Sequence, residues 1–259
     1  MSGTLALIAA LMSVTACVVA ADAPAAETTV QFHPHGDETI TLEGRLHVPE
    51  GAEGVAAVVL CHPDPRYGGS MDVPVVTHLQ RTFAAGGYAT LRFNLRGVGA
   101  STGTFDDGKG EMLDCLGALD FLRRQEGVDR GRLALVGYSY GSWVGLRACV
   151  KDAKVRACAC LCFPVPDGEE PDKHEYFARL RFPVLFVTGT EDTISSLKAI
   201  REIIQAHEAG KHCRVISLEG ADHFLRNPAD LESAAGCIVQ FVKEHTRPEA
   251  APVAQDTTP

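Results

Sequence analysis

The residue of this chain best suited to nucleophilic chemistry is a serine in the stretch Leu133–Leu146. The stretch reads LALVGYSYGSWVGL, so an apolar run stops at Gly137, and Ser139 then stands between two glycines before a helix-compatible segment. This G-x-S-x-G pattern is typical of a serine on a tight, strained turn between a strand and a helix. A Cβ atom at either glycine would crowd the neighbouring strand and helix. The pattern predicts Ser139 as a nucleophile, with the Tyr140 N–H facing a developing oxyanion. The alternative is a simple Gly/Ser turn.

A serine hydroxyl is a weak nucleophile that needs a base, and the base needs a group that orients it. Asp192 follows the predicted strand 183–188, and His223 follows the predicted strand 214–218. Because ligands gather beyond the carboxyl ends of strands in such sheets, we expect both side chains to converge on Ser139. Glu191 is the rival acid, and Asp192 has an alternative role as a helix N-cap. The alternative histidines lie in helical or linker segments: His174, His207, His212 and His245.

The elements that must position these residues alternate between strand and helix. Residues 28–33 and 39–48 alternate polar and apolar side chains and predict two antiparallel strands. The continuous apolar run Val55–Cys61 predicts a strand buried on both faces, and Gly110–Arg124 has apolar residues at helical spacing. The pattern predicts an α/β fold with a mostly parallel central sheet and helices on both faces.

Composition limits the classes of function. A chain of 259 residues fits one large domain, and a net charge of −9 argues against a nucleic-acid partner. No dinucleotide-binding spacing follows Gly97-x-Gly99, so we expect no cofactor. Cys158, Cys160 and Cys162 alternate and are expected to share one strand face. Their Ala, Leu and Phe neighbours predict core packing rather than a zinc site, and we expect no metal. The oligomeric state stays open.

The N-terminus has the character of an export signal. Residues 4–21 are almost wholly apolar, which is short for a membrane span of ~20 residues but suits a secretory signal. Val14-Thr15-Ala16-Cys17 resembles a bacterial lipobox, with Cys17 as the lipidation candidate, and Val19-Ala20-Ala21 offers an ordinary cleavage site. These features predict a secreted or cell-envelope protein with a possible lipid anchor in the membrane. The eight other cysteines favour the alternative, a reducing cytoplasm.

Two longer motifs accompany the serine: His62–Asp72 reads HPDPRYGGSMD, and Arg92–Ser101 reads RFNLRGVGAS. With them, residues from about 30 to 245 resemble the α/β-hydrolase superfamily, and more narrowly a small bacterial esterase-like subgroup carrying HPxPxxGGxMD and RFNxRGVGxS. The resemblance implies the α/β-hydrolase fold with a minimal cap, since only the stretch between Phe163 and Arg181 is available for a lid. The expected organisation is a signal or lipoprotein-like segment and linker over 1–27, an α/β-hydrolase domain over 28–245, and a disordered tail over 246–259.

The resemblance also implies where the second oxyanion donor lies. Relatives with His-Gly-x in the first loop use the N–H of x, which corresponds to Asp64 here. Proline stands in place of the glycine and has no N–H. The donor is therefore expected to be Asp64 or, failing that, Arg66 or Tyr67. His62 and Arg96 are expected to hold the two motif loops together.

The expected function is hydrolysis of a small-molecule carboxylic ester with a short acyl group. Ser139 attacks, His223 acts as base and acid, and Asp192 orients the imidazole. Thioester or amide cleavage and acyl transfer need the same residues and remain alternatives, as does a non-catalytic binding protein on the same fold. The candidate pocket walls are Tyr67, Met71, Tyr140 and Phe163.

Overall fold

A computed structural model describes residues 26–248 of the chain, and its centre is one eight-stranded sheet. The strands are β1 (Thr28–Phe32), β2 (Leu42–His47), β3 (Val55–Cys61), β4 (Ala89–Phe93), β5 (Val128–Tyr138), β6 (Val155–Leu161), β7 (Val184–Gly189) and β8 (Cys213–Leu218). Their spatial order is β1-β2-β4-β3-β5-β6-β7-β8. β1 and β2 pair antiparallel, and β2 pairs antiparallel with β4. The pairs from β4 through β8 are all parallel. The predicted mostly parallel sheet is confirmed.

Helices cover both faces of this sheet, because alternate residues of the central strands point to opposite sides. The helices are α1 (Pro74–Ala85), α2 (Lys109–Arg123), α3 (Tyr140–Lys151), α4 (Leu197–Ala206) and α5 (Pro228–His245). In β3, Val59 packs into the core beneath α2, α3 and α4, and its neighbour Val58 packs into the core beneath α1 and α5. The prediction of helices on both faces is therefore confirmed.

The segment between β6 and β7, where a lid is expected, is short. Its regular structure is limited to the 3₁₀ turns Pro171–Arg179 and a single bridge between Val165 and Ser195. The predicted signal segment with Cys17 and most of the predicted tail lie outside the described residues. Within residues 26–248, no helix has both the length and the apolar character needed to cross a membrane.

The cysteines of β6 and of the residue after it do not all lie on one face of the sheet, although the sequence predicts that they do. All eight cysteines within the described residues are free thiols. Cys158 and Cys160 point into the core on the α3 side, as expected for alternate residues of one strand. Cys162 follows the end of β6 with φ +50° and lies in the opposite core. The prediction that Cys162 shares a face with the other two is wrong, because this left-handed residue breaks the strand alternation.

Candidate active site

The predicted turn around Ser139 joins β5 directly to α3. Ser139 has φ 51° and ψ −122°, a conformation that L-residues avoid, and its N–H donates to Leu161 O at 2.8 Å. A Cβ atom on Gly137 would lie 2.4 Å from the backbone of Ser142 in α3. One on Gly141 would lie 2.4 Å from the carbonyl oxygen of His62, just past β3. Both glycines are therefore required by close backbone approach.

Substitution of Gly141 tests this packing. We expect Gly141→Ala to lower the free energy of unfolding by about 3 kcal/mol, because backbone must move to admit the methyl group. Gly236→Ala is the matched control in helix α5, where a Cβ meets nothing within 4 Å. It is expected to raise stability by about 0.5–1 kcal/mol through reduced chain entropy. Urea unfolding measures both, and equal effects at the two positions would contradict the account.

The structure brings Ser139, His223 and Asp192 together in one hydrogen-bonded line. The Ser139 Oγ lies 2.9 Å from His223 Nε2, and His223 Nδ1 lies 2.8 Å from Asp192 Oδ2. All three residues are buried. With Nδ1–H donating to the carboxylate, Nε2 is left to accept the serine proton. This geometry meets the requirements of a serine nucleophile with an oriented general base.

Hydrogen bonds hold the loop after β7 against the loop after β8. The Glu191 N–H donates to Ala221 O at 3.1 Å, and a Cβ on Gly189 would lie 1.9 Å from the same oxygen. The Tyr138 hydroxyl donates to the His223 carbonyl at 2.9 Å and so links the histidine loop to the serine turn. Tyr138 was not predicted as a site residue, since nothing in its spacing distinguishes it. Glu191, the rival acid, is exposed.

Asp192 is surrounded by donors rather than capping a helix. Its Oδ1 accepts the N–H groups of Ile194 at 2.9 Å and Ser195 at 2.8 Å, while Ser196 is the residue that caps α4. Burial raises the pKa of the Asp192 carboxyl, but the hydrogen bonds and charge from His223 and the two backbone donors outweigh burial and lower it below its usual value. The carboxylate therefore stays ionised at neutral pH beside the imidazole.

The proposed oxyanion donors are free backbone groups. Among residues 26–248, neither the Tyr140 N–H nor the Asp64 N–H has a hydrogen-bond acceptor. The alternatives are occupied, because the Arg66 N–H donates to the Asp64 carboxylate at 2.9 Å and the Tyr67 N–H to Asp64 O at 3.1 Å. Arg66 also pairs with that carboxylate at 2.7 Å. The negative charge of Asp64 is thus neutralised within its own turn.

The two motif loops are joined through their own residues. His62 Nε2 accepts the Leu95 N–H at 3.0 Å. Asn94 Oδ1 accepts the Met71 N–H at 2.8 Å, and Arg92 pairs with Asp72. These contacts hold the two motif loops against each other.

Arg96 does not join the loops as predicted. Its guanidinium instead pairs with Asp114 of α2 at 2.7 Å, where both side chains are buried. The salt bridge fixes the second motif loop to helix α2 rather than to the first loop.

Burial keeps His62 neutral. It lowers the pKa of His62 from 6.5 to about 4, against the hydrogen bond to Pro63 O and the charge of Asp64, which raise it. As the pH falls below 6.5, the unfolded chain binds a proton that the folded chain excludes. The contribution of His62 to stability is therefore present above pH 6.5 and lost toward pH 4.

This behaviour gives a measurable pH dependence. Between pH 7 and pH 5, His62 should account for a loss of about 2 kcal/mol in the free energy of unfolding. We expect His62→Gln to remove this part of the pH dependence and the exposed-site control His33→Gln to retain it. Urea unfolding at the two pH values checks the prediction. An unchanged pH dependence in His62→Gln would show that the residue is protonated normally.

The pocket candidates do not form one wall. Tyr67 is 87% exposed, and Met71 is buried with its backbone held by the second motif loop. Phe163 is fully buried and packs edge-to-face on Phe186 with ring centroids 5.4 Å apart, so it belongs to the core rather than to an open pocket. The Tyr140 ring packs beside the Trp143 ring, with their centroids 5.6 Å apart. The pocket assignment of Phe163 is thus corrected.

Cys162 is a neighbour of the site that the sequence pattern did not reveal. One ligand atom each of Cys162, Asp192 and His223 lies within 4.8 Å of the others. The pKa of the Cys162 thiol is raised well above its usual value by burial and by Asp192, so the thiol remains protonated. The Asp192 and His223 atoms already bond each other at 2.8 Å. A metal would need a deprotonated thiol and free imidazole and carboxylate atoms. The three side chains therefore fit a hydrogen-bonded Asp192–His223 pair with a protonated thiol beside it better than a metal centre.

Similarity in sequence extends along much of the chain. A sequence model of the X-Pro dipeptidyl-peptidase (S15 family) matches residues 21–175, which include Ser139 but end before Asp192 and His223. The uncharacterized protein RP471 of Rickettsia prowazekii (strain Madrid E) is 30% identical over 188 residues, covering 71% of this chain and 78% of that protein.

Solved structures share the architecture. A Xanthomonas campestris protein, a member of the α/β serine hydrolases without a lid, is 25% identical with a TM-score of 0.70, covering 88% of this chain and 98% of its own. An α/β serine hydrolase homologue from Coxiella burnetii is 25% identical with a TM-score of 0.69, covering 83% of this chain and 96% of its own. The predicted α/β-hydrolase fold is confirmed.

Proposed function

The chain belongs to the X-Pro dipeptidyl-peptidase (S15) family of α/β hydrolases, and we propose that it hydrolyses small carboxylic esters through Ser139, His223 and Asp192. The observation that carries the proposal is the continuous hydrogen-bonded line from Ser139 Oγ through the imidazole to the carboxylate, with contacts of 2.9 and 2.8 Å. A serine in a strained turn with an oriented base is the arrangement that acyl transfer requires.

The proposed reaction has two steps, formation of an acyl-enzyme on Ser139 and its hydrolysis by water. Ser139 Oγ bonds to the ester carbonyl carbon while His223 Nε2 takes its proton, and the proton then passes to the departing alcohol as the C–O bond breaks. Water adds to the acyl-enzyme in the same manner, with His223 accepting its proton and returning it to Ser139. Asp192 holds the imidazole in the required tautomer and stabilises its positive charge.

Stabilisation of the tetrahedral oxyanion is assigned to the Tyr140 and Asp64 N–H groups. Tyr140 is the first residue of α3, where the helix dipole favours negative charge. Both N–H groups lack an acceptor in the described part of the chain, which leaves them free for a substrate oxygen. Preorganised donors of this kind stabilise the transition state without reorganisation.

A short acyl group and an alcohol leaving group are the substrate features that the surroundings favour. Within residues 26–248, the segment between β6 and β7 that contains Pro171–Arg179 is short for a lid, and the relative from Xanthomonas campestris is named as lacking a lid. We therefore place small, accessible esters ahead of lipids.

The family match favours a second candidate, release of X-Pro dipeptides from peptide N-termini. The matched segment includes the nucleophile, and an amide is cleaved by the same acyl-enzyme steps. A peptidase of this kind must also bind the substrate ammonium group with a carboxylate. The Asp64 carboxylate near the motif loop is already paired with Arg66, which weighs against it in that role.

A substrate comparison separates the two candidates. We expect p-nitrophenyl acetate and butyrate to be turned over with kcat/KM at least about a hundredfold above that for Gly-Pro-p-nitroanilide. The reason is that an aryl ester has a better leaving group and needs no ammonium site. A reversed preference would assign the protein to the peptidases. Turnover of neither substrate by folded protein would favour a non-catalytic binding role.

A further inference from the structure

A basic groove of about 900 Å³ lies on the protein away from Ser139. Its walls carry six of the chain's 24 lysine and arginine residues against a single carboxylate, Asp120. The cations are Arg123, Arg124, Arg130, Lys154, Arg156 and Arg181. A chain with a net charge of −9 thus concentrates positive charge in one concave place.

The groove lies at the amino edge of the parallel strands. Arg130 is the third residue of β5, Lys154 directly precedes β6, and Arg181 is three residues before β7. Ser139, by contrast, follows the carboxyl end of β5. The groove is therefore at the opposite edge of the sheet from the proposed active site and has no part in its chemistry.

Several of these cations are available to a ligand. Arg124, Arg130 and Lys154 are exposed, and their side chains have no ion pair or hydrogen bond within residues 26–248. Arg123 differs, because it is buried and pairs with Asp120 at 3.0 Å and with Asp152. Its Nε is nonetheless buried with no acceptor in the same described range. A groove lined by unpaired cations and by a buried guanidinium whose Nε has no acceptor within residues 26–248 is suited to an anion.

We propose that this groove binds a soluble ligand that carries two or more phosphate groups. The positive charges of Arg124, Arg130 and Lys154, which have no ion pair within residues 26–248, repel one another, and a polyanion relieves that repulsion. Guanidinium groups match phosphate oxygens with paired hydrogen bonds. The cations line the walls of a concavity with the apolar side chains Val155 and Phe182 between them, which suits a compact ligand better than a flat lipid surface.

Isothermal titration of the full chain with tripolyphosphate tests the proposal. We expect saturable binding to wild type that weakens as salt is raised, because mobile ions screen exposed charges. The variant Arg130→Gln with Lys154→Gln should bind about tenfold more weakly, since it loses two charge-assisted contacts. The control Lys198→Gln with Arg201→Gln removes the same charge from α4, outside the groove, and should bind as wild type does.

The other outcomes overturn the proposal. Absence of tripolyphosphate binding, or equal weakening in both variants, would mean that the groove makes no specific site. A second experiment measures binding to vesicles that contain phosphatidylglycerol by flotation. Binding to those vesicles alone, lost in Arg130→Gln with Lys154→Gln, would replace the soluble ligand with a lipid headgroup. Circular dichroism of both variants checks that they are folded.

Discussion

Replacement of Ser139 by alanine is expected to reduce kcat for p-nitrophenyl acetate by about 10⁵–10⁶-fold, to near the rate without enzyme. Alanine removes the only atom that can form the acyl-enzyme at this turn, since the Ser139 Oγ is the atom that lies 2.9 Å from His223 Nε2. The backbone donors assigned to the oxyanion remain, so a small residual acceleration over water is expected.

Stopped-flow and steady-state assays of purified protein measure this effect. The matched control is Ser233→Ala on the exposed side of α5, which removes a hydroxyl that donates to the Ala229 carbonyl of its own helix. The Ser233→Ala variant should have the kcat of the wild type. A Ser139→Ala protein that is folded and retains the wild-type rate would remove Ser139 from the mechanism.

The second large effect is expected for Asp192→Asn, with a fall in kcat of about 10⁴-fold and a small change in KM. An asparagine amide can donate to His223 Nδ1, which stabilises the tautomer whose Nε2 carries the proton. That tautomer cannot accept the proton of Ser139. The carboxylate also stabilises the imidazolium that forms during attack, and the neutral amide does not.

The adjacent acid supplies the control for this substitution. Glu191→Gln changes an exposed side chain one residue away and should retain the wild-type kcat. A large loss in Glu191→Gln together with near-normal activity in Asp192→Asn would exchange the roles of the two acids. Retained activity in both variants would leave the histidine without an acidic partner.

The order of strands and helices is predictable from the sequence because each element has its own local pattern of apolar and polar residues. A run such as Val55–Cys61 has no polar residue to face water, so it predicts a doubly covered strand, and β3 has those bounds. The sequence places Ser139, Asp192 and His223 after three separate predicted strands. Parallel pairing from β5 through β8 then brings them together. Such juxtapositions follow from topology alone.

Other features depend on details that no local pattern contains. Cys162 leaves the face of its strand because its φ is +50°, which the alternating spacing does not reveal. Arg96 pairs with Asp114 rather than with the first loop because helix α2 passes beside it, and the helix position is a tertiary property. The sequence predicts Phe163 as a pocket wall, but the packing of Phe177 and Phe186 around it buries the ring fully.

The basic groove is a further feature that local sequence patterns do not predict. Its cations come from a helix end and from the starts of several strands, which are far apart in the sequence. The net charge of −9 gives no sign of them. Only the sheet, by bringing the amino ends of its parallel strands to one edge, gathers them into a single concavity.

Labelling with a fluorophosphonate, followed by mass spectrometry of the modified peptide, tests the central claim most directly. The reagent bonds covalently to a serine only when a nearby base has made the hydroxyl nucleophilic. We expect one modification, on Ser139, that is lost when His223 is replaced by alanine. Folded wild-type protein that takes up no label, or a label on a serine other than Ser139, would contradict it.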